Sequence, residues 1–219
     1  MKKQLFIALT LIIFTITGGF AQQKLPTLNI NSSEIIEKAQ EMDFSEAKEI
    51  LLTIPLGDTL YNTAQMMLGK LHTNNKQYED ALKYCMWVLE HPNSKVSEKD
   101  IIPTMAECYY YLNDYNTAIF YFNKALEYFP YKAYLHNNLA QCYMQLEMTT
   151  KAEEHLILAI RCEPFNNSFH YQLALTYLKQ RQTIPALLAL NFSSYCEPSH
   201  AITVSSLQVL YENYTKGTE

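Results

Sequence analysis

Met105-Ala106-Glu107-Cys108-Tyr109 returns 34 residues later as Leu139-Ala140-Gln141-Cys142-Tyr143, and 34 later again as Leu173-Ala174-Leu175-Thr176-Tyr177. The same step relates Pro130, Pro164 and Pro198, and it relates Ala118, Ala152 and Ala186. Ala125 and Ala159 hold a further place, with Ser193 next in line. A fixed period of this length marks a repeat architecture, and it decides the fold before any single segment is read.

The spacing inside one unit has a direct physical meaning. Ile102, Met105, Ala106 and Tyr109 fall at i, i+3, i+4 and i+7, one face of a helix. Ala118, Phe122 and Ala125 repeat the pattern in the second half, with small side chains where two helices cross closely. Between them, Leu112-Asn113-Asp114-Tyr115 supplies residues that tolerate the left-handed conformation ending a helix. The proline then stops the second helix. Each unit therefore reads as a helical hairpin.

These residues resemble the tetratricopeptide repeat, a 34-residue hairpin with small residues at places 8, 20 and 27, Tyr at 11, an aromatic at 17 and Pro at 32. With residue 99 as place 1, Ala106, Tyr109, Tyr115, Ala118, Ala125 and Pro130 match, and Phe122 stands at place 24. The unit from 133 matches through Leu139, Ala140, Tyr143, Ala152, Ala159 and Pro164. The unit from 167 matches through Leu173, Ala174, Tyr177, Ala186 and Pro198, departing at Thr183 and Ser193. Upstream, residues 62–95 carry Leu68, Gly69, Tyr78 and Ala81, and a degenerate unit at 34–61 carries Phe44 and Ala47. Val204, Leu207 and Tyr211 share one face of a capping helix expected over 200–214. The resemblance implies an all-α, right-handed superhelix of about five hairpins plus that cap, spanning 34–216.

The first residues read as an export signal. Lys2 and Lys3 precede an apolar run from Leu5 to Ile16, and Gly19 and Ala21 supply a small-residue cleavage site before Gln22. The run is too short for an ordinary membrane span, which takes about 20 residues. Residues 1–21 are thus expected to leave the mature chain, which is periplasmic or secreted, and residues 22–33 to form a flexible linker. No direct membrane insertion is expected after cleavage.

The chain carries net charge −5, and loss of the two leader lysines makes the remainder more acidic. Nucleic acid is therefore not an expected partner, since phosphates call for clustered Lys and Arg. Five cysteines make an odd number for an oxidising compartment. Cys108 and Cys142 share one place and Cys162 and Cys196 another, and stacked equivalents sit too far apart for a disulfide, which needs Cα atoms within about 7 Å. They read as small buried hydrophobes, with bridges between non-equivalent cysteines left open.

His136 and His170 stand at equivalent places, one helix pair apart, and read as packed seam residues rather than metal ligands. Glu153-Glu154-His155 reads as a solvated cluster on the second helix. There is no Gly-x-Ser-x-Gly elbow, no His-Glu-x-x-His and no glycine-rich phosphate loop. No enzymatic activity, metal or cofactor is expected.

In the family, places 2, 5, 6, 9, 12 and 13 face the concave groove. Carried over, the resemblance implies a peptide-binding face of Tyr110, Tyr111, Tyr134, Asn137, Asn138, Gln141, Gln145, Tyr171, Gln172 and Lys179. Amides suit a peptide backbone and tyrosines cover its side chains. A clamp for C-terminal carboxylates is disfavoured: Lys70 and Asn138 fit two of its sites, but Met66, Pro103, Glu107 and Gln172 occupy others. The expected function is protein or extended-peptide binding by an envelope scaffold. The rival is a structural spacer or assembly subunit that uses its convex or end surfaces.

Overall fold

The computed structural model describes residues 31–93 and 95–196. The expected signal at 1–21 and capping helix at 200–214 lie outside them, as does Pro198. Ten α-helices follow in order: α1 (Ser32–Ala39), α2 (Phe44–Leu51), α3 (Tyr61–Asn74), α4 (Tyr78–Glu90), α5 (Glu98–Tyr111), α6 (Tyr115–Tyr128), α7 (Ala133–Gln145), α8 (Thr149–Cys162), α9 (Asn167–Lys179) and α10 (Thr183–Cys196). Consecutive pairs form five hairpins, and each packs on the next in an all-helical solenoid. Helix α1 begins at Ser32, inside the stretch read as linker, because the Asn31 side chain accepts the Glu34 N–H and caps the first turn. Asp43 and Asp114 cap α2 and α6 in the same way.

The small residues do what their spacing requires. Ala106, Ala118, Ala125, Ala140, Ala152, Ala159, Ala174 and Ala186 have no exposed surface. Ser193, the departure from alanine, is equally buried and donates its hydroxyl to the Asn167 carbonyl at 2.9 Å. A hydroxyl here is tolerated because it finds an acceptor. The continuous core runs through Phe122, Leu135, Leu139 and Leu156, all fully buried. The second helices stop two residues short of each proline, at Glu90, Tyr128 and Cys162, before Pro92, Pro130 and Pro164.

Within the hairpins from α3 onward, the turn is the same each time. Lys76, Asn113, Glu147 and Arg181 all take φ of 59 to 63°. The next residue's N–H then reaches back to the carbonyl of His72, Tyr109, Tyr143 or Tyr177, at 2.8–2.9 Å. This six-to-one bond is the Schellman closure of a helix C-terminus. Asn113 suits the left-handed region, whereas Lys76, Glu147 and Arg181 have no such preference. Hairpin geometry imposes it on them.

Successive first helices touch, α3 with α5 and α5 with α7. No pair of second helices packs to that extent among the described elements, so the stack curves towards its first helices. Their outward residues line the inner face.

Candidate functional site

Two pockets open on that inner face. The larger, about 590 Å³, lies across α5, α7 and α9 and gathers Tyr110, Gln141, Gln145, Tyr171, Gln172 and Lys179, six of the residues expected from sequence. Met144, Leu175 and Leu178 complete its apolar wall, with Ser168 at the rim. These four sit at the same groove-facing places as the expected residues, and sequence reasoning passed them over because it favoured amides and tyrosines.

Tyr110 donates its hydroxyl to Gln141 Oε1 at 3.0 Å, bridging the first helices of adjacent hairpins. Burial pushes its phenol above the ordinary value. Lys179 brings the only charge to the pocket lining and is exposed. The pocket thus combines an apolar floor, amide edges and one cation at its end.

The second pocket, about 410 Å³, lies towards the N-terminus across α3, α5 and α7. Lys70, Lys99, Asp100 and Glu107 make it charged, and Tyr134 closes one side. Burial raises the Glu107 carboxyl above its usual value, and Lys70 offsets this only in part. Tyr134 is raised too, by burial and then by Glu107. Glu107 and Lys70 entered the sequence reading only as mismatches or matches to a carboxylate clamp. Their shared pocket required the stacking of two hairpins.

Three expected residues line neither pocket. Tyr111 stacks on Tyr78 with ring centroids 4.8 Å apart, tied to the neighbouring hairpin, although 54% exposed. Asn138 is half-buried. Asn137 is 9% exposed, and its Oδ1 has no hydrogen-bond partner. On α7 it falls between Tyr134 of the charged pocket and Gln141 of the apolar one, three and four residues away. A buried amide oxygen without a donor is costly, by about 1–3 kcal/mol.

The seam histidines behave as repeat elements. Nε2 of His136 donates to the Pro130 carbonyl at 3.0 Å, and Nε2 of His170 to the Pro164 carbonyl at 2.7 Å. A carbonyl only accepts, so both rings carry their proton there. His155 differs from its expected solvated role. It lies half-buried between the rings of His136 and Tyr143, each 5.6 Å away, with its Nδ1 3.3 Å from that of His136. Burial, then His136, lowers its pKa. Glu153 is also engaged, accepting from Gln180 Nε2 at 3.0 Å, and only Glu154 of that trio is exposed. Sequence placed them on the outer helix without showing how closely α7 and α9 flank it.

All five cysteines are free thiols. Burial pushes Cys85 and Cys142 up to about 12 and Cys108 to about 11, so none of the three is a thiolate near neutrality. Cys162 and Cys196 are half-buried rather than enclosed, because their place lies at the end of the second helix. Among the described residues, no helix is long and apolar enough to cross a membrane.

Residues 109–176 match the family model described as tetratricopeptide repeat. No curated protein matches the chain in sequence. Among solved structures, MamA residues 41 to the end from Desulfovibrio magneticus RS-1 superposes with a TM-score of 0.69 at 16% identity, over 77% of this chain and 94% of that one. YrrB, described as a TPR protein with an unusual peptide-binding site, gives 0.66 at 15% identity, over 81% and 92%. Another MamA crystal structure gives 0.66 at 16%, over 78% and 98%.

Proposed function

The chain carries tetratricopeptide repeats on the helical solenoid that goes with them, and from that premise we propose that it is a non-enzymatic scaffold holding an extended peptide segment of a protein partner. The peptide lies along the inner face, its apolar side chains against Met144, Tyr171 and Leu175 and its backbone against Gln141 and Gln172. The compartment is outside the cytoplasm, on the reading of residues 1–21 as a cleaved leader.

One observation carries the binding mode. Tyr110, Gln141, Gln145, Tyr171, Gln172 and Lys179, from three successive first helices, converge on one pocket whose apolar wall and amide edges suit the side chains and backbone of a peptide. The fold neighbour described as having a peptide-binding site supports the ligand class. An extended chain also suits a face whose two pockets are spread over four first helices rather than closed into one cavity.

The test is a combined alanine variant of Tyr134, Asn137 and Gln141, compared with the parent for capture of partner proteins from the native envelope fraction. Capture should fall at least tenfold while far-ultraviolet circular dichroism stays unchanged, since a tenfold loss corresponds to only about 1.4 kcal/mol. Equal capture by the two would exclude the groove and turn the reading to a spacer acting through other surfaces.

A further inference from the structure

The outer face of α10 does not resemble its counterparts. Ile184, Leu188, Phe192 and Tyr195 form a stripe at i, i+4, i+8 and i+11 and are 72, 66, 42 and 79% exposed. One repeat earlier the same places hold Thr150, Glu154, Leu158 and Arg161, and two repeats earlier Asn116, Phe120, Lys124 and Glu127. Only in the last described hairpin are all four of these places apolar or aromatic, with exposed Asn191 beside them at i+7. Beside the stripe, a cleft of about 370 Å³ between α8 and α10 is lined by Ile157, Ile160, Leu188 and Phe192.

A further first helix in the stack would not cover it. Thr150, Glu154 and Arg161 remain exposed although α9 packs on α8, and Asn116, Phe120 and Glu127 remain exposed although α7 packs on α6. Leu158 and Lys124, the counterparts of Phe192, are half-buried, so a next first helix would leave Ile184, Leu188 and Tyr195 open and Phe192 partly so.

We infer that this face is where a second copy of the chain docks, α10 against α10 in an antiparallel, two-fold contact. The stripe is symmetric about the middle of the helix. Reversing one copy sets Ile184 against Tyr195 and Leu188 against Phe192, and then the reverse, as an isologous contact demands. Its four side chains hold no charge, and the cation beside them, Arg161 of the adjoining cleft, is itself exposed, so two acidic chains can meet on the stripe without burying an unpaired ion. At the stated exposures the four side chains present on the order of 600 Å² of largely apolar surface, large for a monomer's patch. With Ile157 and Leu187 at its edge this nears the roughly 800 Å² per partner of a stable interface. The contact is independent of the inner groove, which lies on the opposite helices, and it would leave two grooves free in one dimer.

The test is sedimentation equilibrium of the purified full chain, with Leu188→Glu, Phe192→Lys and an equimolar mixture of the two. Glu and Lys already stand at these two places in Glu154 and Lys124, so both variants should keep parental helicity. The parent should reach dimer mass in the micromolar range, and each variant alone should dissociate at least tenfold more readily. The mixture should recover dimer, because the carboxylate introduced into one copy then meets the ammonium introduced into the other. A parent that stays monomeric up to about 100 µM overturns the inference. So does association unchanged in either variant, or a mixture that fails to recover. If the parent is monomeric and Leu188→Glu makes residues 200–214 sensitive to protease, the chain's own end covers the face instead.

Discussion

Where α7 carries Tyr143, α3 carries His72; where α7 carries Ala140, α3 carries Gly69. The two hairpins share a turn, with φ of 61° at Lys76 and 59° at Glu147 and the same six-to-one bond after each. Their interiors differ. Tyr143 is 8% exposed, with its ring against His155 and the ammonium of Lys151 5.3 Å from the centroid. His72 is 1% exposed, with its ring edge-on to Phe44 at 5.2 Å and tilted against Tyr84 at 5.1 Å. Neither of its nitrogens has a partner in good hydrogen-bond geometry, the Gln77 side chain lying near the ring without the alignment of a full bond. A methyl group at Gly69 would stand 2.8 Å from Cys85 Sγ, so the glycine there makes room for the neighbouring helix. The backbone of the repeat thus survives replacements at its signature places. The cost shows in local polar satisfaction.

The largest test of the comparison is Ala140→Asp. The site has no exposed surface, and a carboxylate there has neither space nor partner. Loss of about 3–5 kcal/mol is expected in urea unfolding. A parental midpoint would mean that the α7–α8 crossing is not where the 34-residue register puts it.

A smaller effect is expected at His72. Burial, and next the charge of Lys48, lowers its pKa from the ordinary 6.5; Lys83 acts in the same direction, and Gln77 and Asp80 oppose it. The folded chain therefore prefers the neutral ring. Stability from this group is whole above about pH 6.5 and declines as the pH falls below that towards the folded value, because the unfolded chain takes the proton first. His155, lowered by burial and by His136, acts in the same direction, so the measurement is a difference. His72→Phe should stabilise the chain by about 1 kcal/mol at pH 7, by removing buried ring nitrogens that lack well-formed hydrogen bonds. The gain should widen as the pH drops to 5. A gain independent of pH would show that the ring does not titrate against folding.

The smallest effect belongs to the turns that the two hairpins share. Glu147→Gly and Lys76→Gly should each raise thermal stability slightly, by about 0.5 kcal/mol, since glycine adopts positive φ without strain. Asn113→Gly should gain less, because asparagine already tolerates that region, and its Oδ1 accepts the Tyr115 hydroxyl at 2.7 Å. Equal gains at all three would mean that side-chain preference plays no part in closing the turn.

Much of the lining of the inner-face pockets was legible at the level of places and little at the level of chemistry. Six of ten expected groove residues share one pocket because the repeat offset fixes which side of a first helix faces inward. Met144, Leu175 and Leu178 obey the same offset and were missed through an assumption about residue type. The charged pocket of Lys70 and Glu107 was missed for a different reason. Its members come from separate hairpins, and their common burial follows from the curvature of the stack.

The amino-acid order alone determined the hairpin, its pitch and the places where helices touch, because those depend on side-chain size recurring at a helical period. It also determined that the histidines at 136 and 170 would behave alike. What only the assembled stack decided was which polar atoms found partners. His155 gained a ring on either side, Ser193 gained a carbonyl, and Asn137 was left with a buried oxygen and no donor. Size and period are properties of one chain segment. Hydrogen-bond satisfaction belongs to three or four segments at once, and no segment read by itself contains it.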